Sequence, residues 1–597
     1  MLVPILTMLA FDRTEGIQAF IWSSVATFVT GLGLVLPGRP EHVHLRPRDM
    51  YMLTVSSWVL VCIFAALPFV LQQHISYTDA FFESMSGITA TGSTVLSGLD
   101  DMSPGILIWR SLLHWLGGIG FIAMAVAILP MLRIGGMRLF QTESSDRSEK
   151  VLPRSHMVAK YIVATYVGIT LLGSLAFWGA GMSPFDAVNH AMSAISTGGF
   201  STSDQSLAKW KQPAVHWTAV VVMILGSLPF ALYVATLRGH RKALIKDQQV
   251  RGLLGLLLVT WLLMGTWYAV TSKLPWMDAF RIVAVNVTSV VTTTGFALGD
   301  YSMWGHFSIM LFFYLGFIGG CSGSTAGGIK IFRFQVAYTL LKANLYQLIH
   351  PRAVLKQNYN GHRLDEEIVR SILTFSFFFA IVVCLLALCL SLIGLDWMTA
   401  LTGAASTVAG VGPGMGPIIG PSGNFASLPD AAKWLLAAGM LLGRLEIITV
   451  LVLLTPAFWR IAGRVGLAVG PGRLELAAGT RALLVDGAAN AATDLAEQPD
   501  AARRLVLGTA HGDHLRADAD GQFVGYDAAC GTALAPIERH TKMRTAGAAG
   551  KTRIVSGHGW QNTRETGERR RAKRDSSDFA AAVKRGAAAD LLSADGW

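Results

Sequence analysis

Apolar residues run through this chain in long blocks divided by short polar turns, and a helix needs about 20 mostly apolar residues to cross the hydrocarbon of a bilayer. On that rule spanning helices are predicted near 17–37, 50–72, 105–132, 157–180, 214–238, 252–271, 305–341, 368–394 and 431–458. A further apolar piece, Met1 to Ala10, is too short to span alone. Between the second and third spans lies Asp79 to Leu99, which is semi-apolar yet ends in Gly, Thr and Ser. Comparable segments follow the fourth, sixth and eighth spans, the mark of an internal repeat.

The repeat has a register. Ser86-Gly-Ile-Thr-Ala-Thr-Gly92, Ser193-Ala-Ile-Ser-Thr-Gly-Gly199, Ser289-Val-Val-Thr-Thr-Thr-Gly295 and Ser406-Thr-Val-Ala-Gly-Val-Gly412 each place a serine six residues before a glycine. Upstream, Asp79, Asp186 and Asp278 open the segment as N-cap type residues before a short apolar helix, and Asp396 takes that place in the fourth. The unit is span, short helix, glycine loop, span, four times over. The expected fold is therefore an all-α polytopic membrane protein. Tandem repeats at 49–134, 155–240, 250–345 and 366–460 surround one pore, and residues 1–48 form an N-terminal accessory region. From Ile461 to Trp597 the chain is rich in Ala, Gly and Arg and has no run long enough to span, so this part reads as a soluble, disordered tail.

Composition agrees with the pattern. The chain is 52% hydrophobic and only 15% charged, against about 25% charged in soluble domains. Its formal charge of +11 would suit nucleic acid, but the basic residues occupy alternate loops: Arg39 to Arg48, Arg133 to Arg154, Arg238 to Lys246, and Lys330 to Arg363. The loops between carry only Lys209, Lys211, Lys273 and Arg281, so the charge records topology and puts the four glycine loops outside. The cluster Arg569 to Arg574 reads as a solvated or lipid-surface run, and no nucleic-acid partner is expected. The five cysteines lack metal or disulfide spacing and read as small core residues. The N-terminus lacks a basic leader and cleavage site, so the first segment is expected to stay in the membrane.

Non-helical backbone at membrane depth is tolerated only where protein buries it or where it lines a polar cavity. Four such loops imply one shared cavity, in which a ring of carbonyl oxygens can replace the water shell of a dehydrated cation. Glycine permits the approach because no Cβ stands in the way. Helix C-termini facing the cavity add a negative dipole end. Asp79, Glu83, Asp100, Asp101, Asp204 and Asp300 together should draw cations to the entrance. Gly319-Gly-Cys-Ser-Gly-Ser-Thr-Ala-Gly-Gly328 cannot hold a stable helix but can sit in a wet cavity and move; it lacks the Lys-Ser/Thr pair of a phosphate loop. The string Gly320-Cys-Ser322-Gly323 raises a distant alternative, an intramembrane serine protease, but the histidines nearest to hand, His306 and His190, are poorly placed as a base. Arg444 lies mid-span, where a charge faces a polar interior or pairs with a carboxylate on another helix; Glu446, two residues on, points away from it.

The segments TDAFFESMSGITATGSTVLSGLDDM (78–102), LLHWLGGIGFIAMAVAILPML (112–132), ISTGGFST (195–202), VTTTGF (291–296), FIGGCSGSTAGGIKIFR (317–333), GVGPGMG (410–416) and GRLEIITVLVLLTPAFWR (443–460) together resemble the Trk/Ktr/HKT superfamily of cation transporters, and within it the Trk-type membrane subunit. The resemblance runs from about Met1 to Arg460. It implies a selectivity filter at Gly92, Gly199, Gly295 and Gly412, with potassium held by backbone carbonyls there and at Ala90, Thr91, Thr197, Gly198, Thr293, Thr294, Gly410 and Val411. It implies potassium as the substrate, with no enzymatic step and no covalently bound cofactor; sodium-selective relatives carry serine at the first filter glycine. A less selective potassium and sodium pathway is the alternative, since one glycine per repeat offers few coordinating layers. The resemblance further implies a gate under the filter, made by a break in the third repeat's last helix at Gly319, Gly320, Ser322, Gly323, Ser324, Thr325, Gly327 and Gly328, with Arg444 projecting into the pore. It implies a homodimer in the bacterial cytoplasmic membrane and a separate cytosolic nucleotide-binding regulatory subunit. The family's first span is shortened here to Met1–Ala10, and the tail after Arg460 has no counterpart in it.

Overall fold

The structure is a computed structural model that describes residues 1–36, 47–127, 152–353 and 357–460, with five short strands between 469 and 526. It divides into two compact units, Met1–Trp459 and Arg460–Trp597. The first is a bundle of four repeats built alike. Repeat 1 runs through Pro47–Ala65 with its continuation Leu67–Gln73, the short helix Tyr77–Thr89 and the spanning helix Pro104–Ala127. Repeat 2 uses Leu152–Gly179, the short helix Pro184–Ile195, then Pro213–Ser227 and Phe230–Leu237. In repeat 3 these are Gln248–Ser272, Trp276–Val291, then His306–Leu315 and Ile331–Ile349; in repeat 4, Glu366–Leu392, Trp397–Ala409, then Asp430–Arg444 and Ile448–Leu454. The four short helices form the buried interior. The helices before them turn leucines such as Leu172, Leu263 and Leu388 outward, as suits a lipid surface. At the N-terminus, Met8 of Leu2–Ala10 and Phe20 of Ile17–Val35 press on Gly105 of repeat 1, which docks these accessory helices at the side of the bundle.

Among the described residues six helices are long and apolar enough to cross a membrane, and two bent pairs bring the number to eight. The ninth expected crossing, 305–341, is made of two helices with irregular backbone between them. Two more spans expected to be continuous are also broken. Residues 214–238 bend by 91° at Leu228-Pro229, where the proline ring cannot continue the helix. Residues 431–458 bend by 117° after Arg444, where neither Pro nor Gly stands at the break and where buried charges hold the chain instead. The end of the expected span 105–132 lies outside the described residues.

Helix starts also differ from expectation. Ser76 and Ser183 are the N-caps of the first two short helices, each accepting the amide of the aspartate three residues on at 3.1 Å. Each serine also donates its hydroxyl to that aspartate at 2.8 Å, so Asp79 and Asp186 complete a reciprocal cap from inside the first turn. Asp278 holds the same inside position and pairs with Arg281 at 2.7 Å, whereas Asp396 is a true N-cap accepting Thr399 N–H at 3.0 Å. Cys384 and Cys389, expected in the core, lie on the exposed face of Glu366–Leu392, opposite Phe379, Val383, Leu386 and Leu390. In the second unit the described residues pair as antiparallel strands Val469–Gly470 with Arg473–Leu474, and Val506–Gly508, His514–Ala517 and Phe523–Tyr526 as one sheet. β-favouring Val, Tyr and Phe recur at these positions; the remainder of 461–597, on which the expectation of a disordered tail falls, lies outside the described residues.

Candidate selectivity filter and gate

Each short helix ends the same way, and the ending explains the serine register. The N–H five residues beyond the serine donates back to the serine carbonyl: Thr91 to Ser86 at 3.0 Å, Gly198 to Ser193 at 2.9 Å, Thr294 to Ser289 at 2.7 Å and Val411 to Ser406 at 2.9 Å. In the first three repeats a second bond, from Ala90, Thr197 or Thr293 to a carbonyl three residues earlier, completes a Schellman closure. Ala90, Thr197 and Thr293, and Gly410 at the same place in repeat 4, lie in the left-handed region, with φ of 52°, 52°, 55° and 72°. The next residue returns to negative φ, and Gly92, Gly199, Gly295 and Gly412 are left-handed again at 93°, 82°, 88° and 102°. Alternating handedness turns successive carbonyls toward one side of the strand, which is the geometry a row of oxygen ligands requires.

The loops close into a ring. A Cβ built on Gly92 would strike the carbonyl oxygen of Gly198; on Gly199, that of Thr294; on Gly295, that of Val411; and on Gly412, that of Thr91 at 2.7 Å. Each loop glycine therefore abuts the carbonyl before the corresponding glycine of the following repeat, and the fourth returns to the first. The sequence-predicted positions in the four loops are thus brought together around one axis. The hydroxyls of the repeated serines differ in use: Ser86 Oγ accepts Gly92 N–H at 3.1 Å, Ser406 Oγ donates to Gly412 O at 2.9 Å, and Ser193 bonds His114 Nδ1 at 3.1 Å.

Of the acids expected at the entrance, Glu83 is not there. It is fully buried and paired with Arg110 at 2.8 Å, as a charge taken out of water requires. Asp79 pairs with Lys433 at 2.5 Å, and Asp204 accepts the amides of Gly98 and Leu99. Asp100 lies in the short turn Leu99–Asp101; burial works against its charge, but Lys209 at 2.8 Å and the Ser203 hydroxyl at 2.9 Å outweigh it and hold the carboxyl below its ordinary value.

Beneath the ring lies the irregular stretch 316–330, and it bonds the last residue of two short helices and the loop just past a third. Thr325 Oγ1 donates to Ile195 O at 2.9 Å, Gly327 N–H to Thr293 Oγ1 at 2.7 Å, and Gly328 N–H to Ala409 O at 2.7 Å. The same stretch mends the break in repeat 2: Cys321 N–H donates to Ser227 O and Thr325 N–H to Gly226 O, while Gly323 O accepts Phe230 N–H. Gln249, the second residue of Gln248–Ser272 in repeat 3, accepts Ser322 N–H at 2.9 Å. Arg444 Nη1 donates to Thr325 O at 2.7 Å and its guanidinium lies 4.3 Å from the Phe121 ring. Among the described residues these are the groups that hold it, and neither is a carboxylate. Glu446 does face away from Arg444, and binds Arg333 at 2.6 Å with both side chains buried. Lys330 donates to Ala326 O across the same stretch. Breaking a buried pair leaves an uncompensated charge and costs about 3–5 kcal/mol. Arg333→Ala should therefore lower the melting temperature of the purified protein in detergent, and Arg333→Met combined with Glu446→Gln should restore most of the loss; equal melting of single and double variants would refute this.

Three glycines outside the loops, Gly117, Gly226 and Gly443, are missed by reasoning from the sequence. Each lies in the helix that follows a loop, and a Cβ there would collide with the carbonyl of Ile88, Ile195 or Val408, four residues before the loop glycine. A signal for them exists: every one follows a leucine, as does Gly316 in repeat 3.

A fourfold ring of backbone carbonyls at the centre of four membrane repeats is the arrangement of a multi-pass membrane cation transporter. In the protease reading the base would have to reach Ser322, but His190 bonds Asp186 O and Ser201 Oγ instead. The model of the TrkH family, described as cation transport protein, matches residues 16–461, and the chain belongs to that family. It is 51% identical over 462 residues to the Trk system potassium uptake protein TrkI of Halomonas elongata, covering 77% of this chain and 94% of that protein. It is 37% identical over 473 residues to the Trk system potassium uptake protein TrkH of Vibrio parahaemolyticus, covering 77% and 96%. The crystal structure of the potassium transporter TrkH from Vibrio parahaemolyticus superposes with a TM-score of 0.71 at 35% identity, covering 77% of this chain and 96% of that one.

Proposed function

We propose that this chain conducts potassium into the cell as the membrane subunit of a Trk-type uptake system, with Gly92, Gly199, Gly295 and Gly412 and the two carbonyls before each as its filter. The observation that carries the reading is the closed ring, in which each loop glycine abuts a carbonyl of the following repeat. The names of the Halomonas elongata and Vibrio parahaemolyticus relatives support potassium as the ion. Residues 316–330 and Arg444 are the gate in this reading: the stretch hydrogen-bonds directly beneath the ring, and Arg444 holds it through Thr325. The basic loops, including Arg238, Arg241, Lys242 and Lys246, lie on the cytosolic side of the bacterial inner membrane. They offer a docking surface to a nucleotide-binding regulatory subunit. The protein works as a homodimer, each protomer with its own pore.

The test is growth of a bacterium lacking potassium uptake at limiting potassium. The wild-type chain should restore growth, and Gly92→Ser, whose Cβ is driven into the Gly198 carbonyl, should restore it poorly and admit sodium. Equal potassium and sodium fluxes through the wild type would favour the unselective alternative, and no flux of either would refute the reading.

A further inference from the structure

The position nine residues before each filter glycine is occupied by Glu83, His190, Asn286 and Gly403. These sites share a task. Glu83 accepts Val95 N–H at 2.9 Å and the Thr94 hydroxyl at 3.0 Å. Asn286 accepts Leu298 N–H at 2.9 Å and donates to Leu298 O at 3.0 Å. His190 Nε2 meets Ser201 Oγ at 3.0 Å. Where glycine leaves no side chain, neighbouring Thr402 accepts Met415 N–H at 3.0 Å. Val95, Leu298 and Met415 each lie three residues past a filter glycine. A polar side chain thus ties the outer limb of the filter loop to its own short helix in every repeat, but only repeat 1 uses a charged group for it.

That charge brings in Arg110, which is itself 1% exposed. Its Nε binds Glu83 at 2.8 Å and its Nη2 binds Thr94 Oγ1 at 3.1 Å. Its Nη1 crosses to the second loop and donates to Ser201 O at 2.9 Å, while the guanidinium lies 4.0 Å from the ring of Phe200, the residue after Gly199. A planar fork is the one side chain that can make these bonds together; a lysine keeps the charge but loses the fork. We propose that Glu83 and Arg110 form a positioning pair that locks the first two filter loops to each other, and that this lock sets how strongly the pore prefers potassium to sodium. The inference rests on the filter reading above. Its physical basis is that size discrimination between dehydrated cations needs carbonyls that resist moving together around the smaller ion, and this pair restrains two of the four loops at once.

The measurement is the ratio of potassium to sodium flux into vesicles containing the purified full chain. Arg110→Lys should lower the ratio about tenfold, equivalent to one decade of relative affinity. Glu83→Gln keeps an acceptor for Val95 N–H and should lower the ratio about threefold. Arg333→Lys disturbs an equally buried pair away from the filter and should leave the ratio where it is, whatever it does to total flux. An unchanged ratio in folded Arg110→Lys, or a fall of the same size in Arg333→Lys, would overturn the proposal and make the pair a structural element only. So would failure of both Arg110→Lys and Glu83→Gln to yield folded protein. Gly92→Ser run alongside separates the two readings: if it shifts the ratio and Arg110→Lys does not, the filter stands and the lock falls, and if neither shifts it, both fall.

Discussion

Gly199→Ala should cut potassium uptake at least about a hundredfold while leaving the protein in the membrane. One methyl group has this effect because of where it points. At φ 82° a non-glycine residue is strained, but only by about 1–2 kcal/mol. The collision with the Thr294 carbonyl oxygen weighs more, because that oxygen cannot turn aside without leaving the ring. A loss of about 2.7 kcal/mol of ion stabilisation at the barrier is a hundredfold in rate. Flux into vesicles, normalised to folded protein, checks this; uptake within about threefold of wild type would mean that the ring does not coordinate the ion.

Arg444→Ala should act in the opposite direction and raise uptake measured without any regulatory partner by about tenfold. Arg444 fixes the stretch under the ring through Thr325, and in the gate proposed above its positive charge stands beside the ion path. A unit charge about 10 Å from a permeating cation costs about 1.7 kcal/mol at an effective dielectric of about 20, and its removal also frees the stretch to move. Arg444→Lys, which retains the charge without the guanidinium fork, should fall between the two. Lower uptake in Arg444→Ala, with the protein folded, would assign the arginine a role in conduction instead of closure.

The ring of four glycine loops is legible in the sequence because the closing turn of each short helix counts residues: the serine carbonyl is answered five positions later and the glycine follows at six. Local hydrogen bonding fixes that interval, so it survives in four otherwise different segments. The break at 316–330 is legible for a similar reason, since its glycines and hydroxyls cannot support a helix. The bend after Arg444 is not, because Glu446 within it pairs with Arg333, a residue 113 positions away that no local pattern joins to it. The bend at Pro229 carries a local sign, Gly226-Ser-Leu-Pro229, hidden inside a run apolar enough to pass for one span. Glu83 reads as an entrance acid for want of its partner on the next helix; the acid and the base lie 27 residues apart, and no periodicity joins them.

A circle of contacts has been laid on a linear chain, so the order of synthesis bears on it. The first three joins of the ring link repeats that leave the ribosome one after another. The last one links Gly412 with Thr91, and it is sealed by Ser93 Oγ on Gly412 O, 319 residues apart, and by Lys433 on Asp79, 354 apart. Until repeat 4 has been inserted, Thr91 O lacks the neighbour that Gly412 supplies, so the ring can close only when the last repeat arrives.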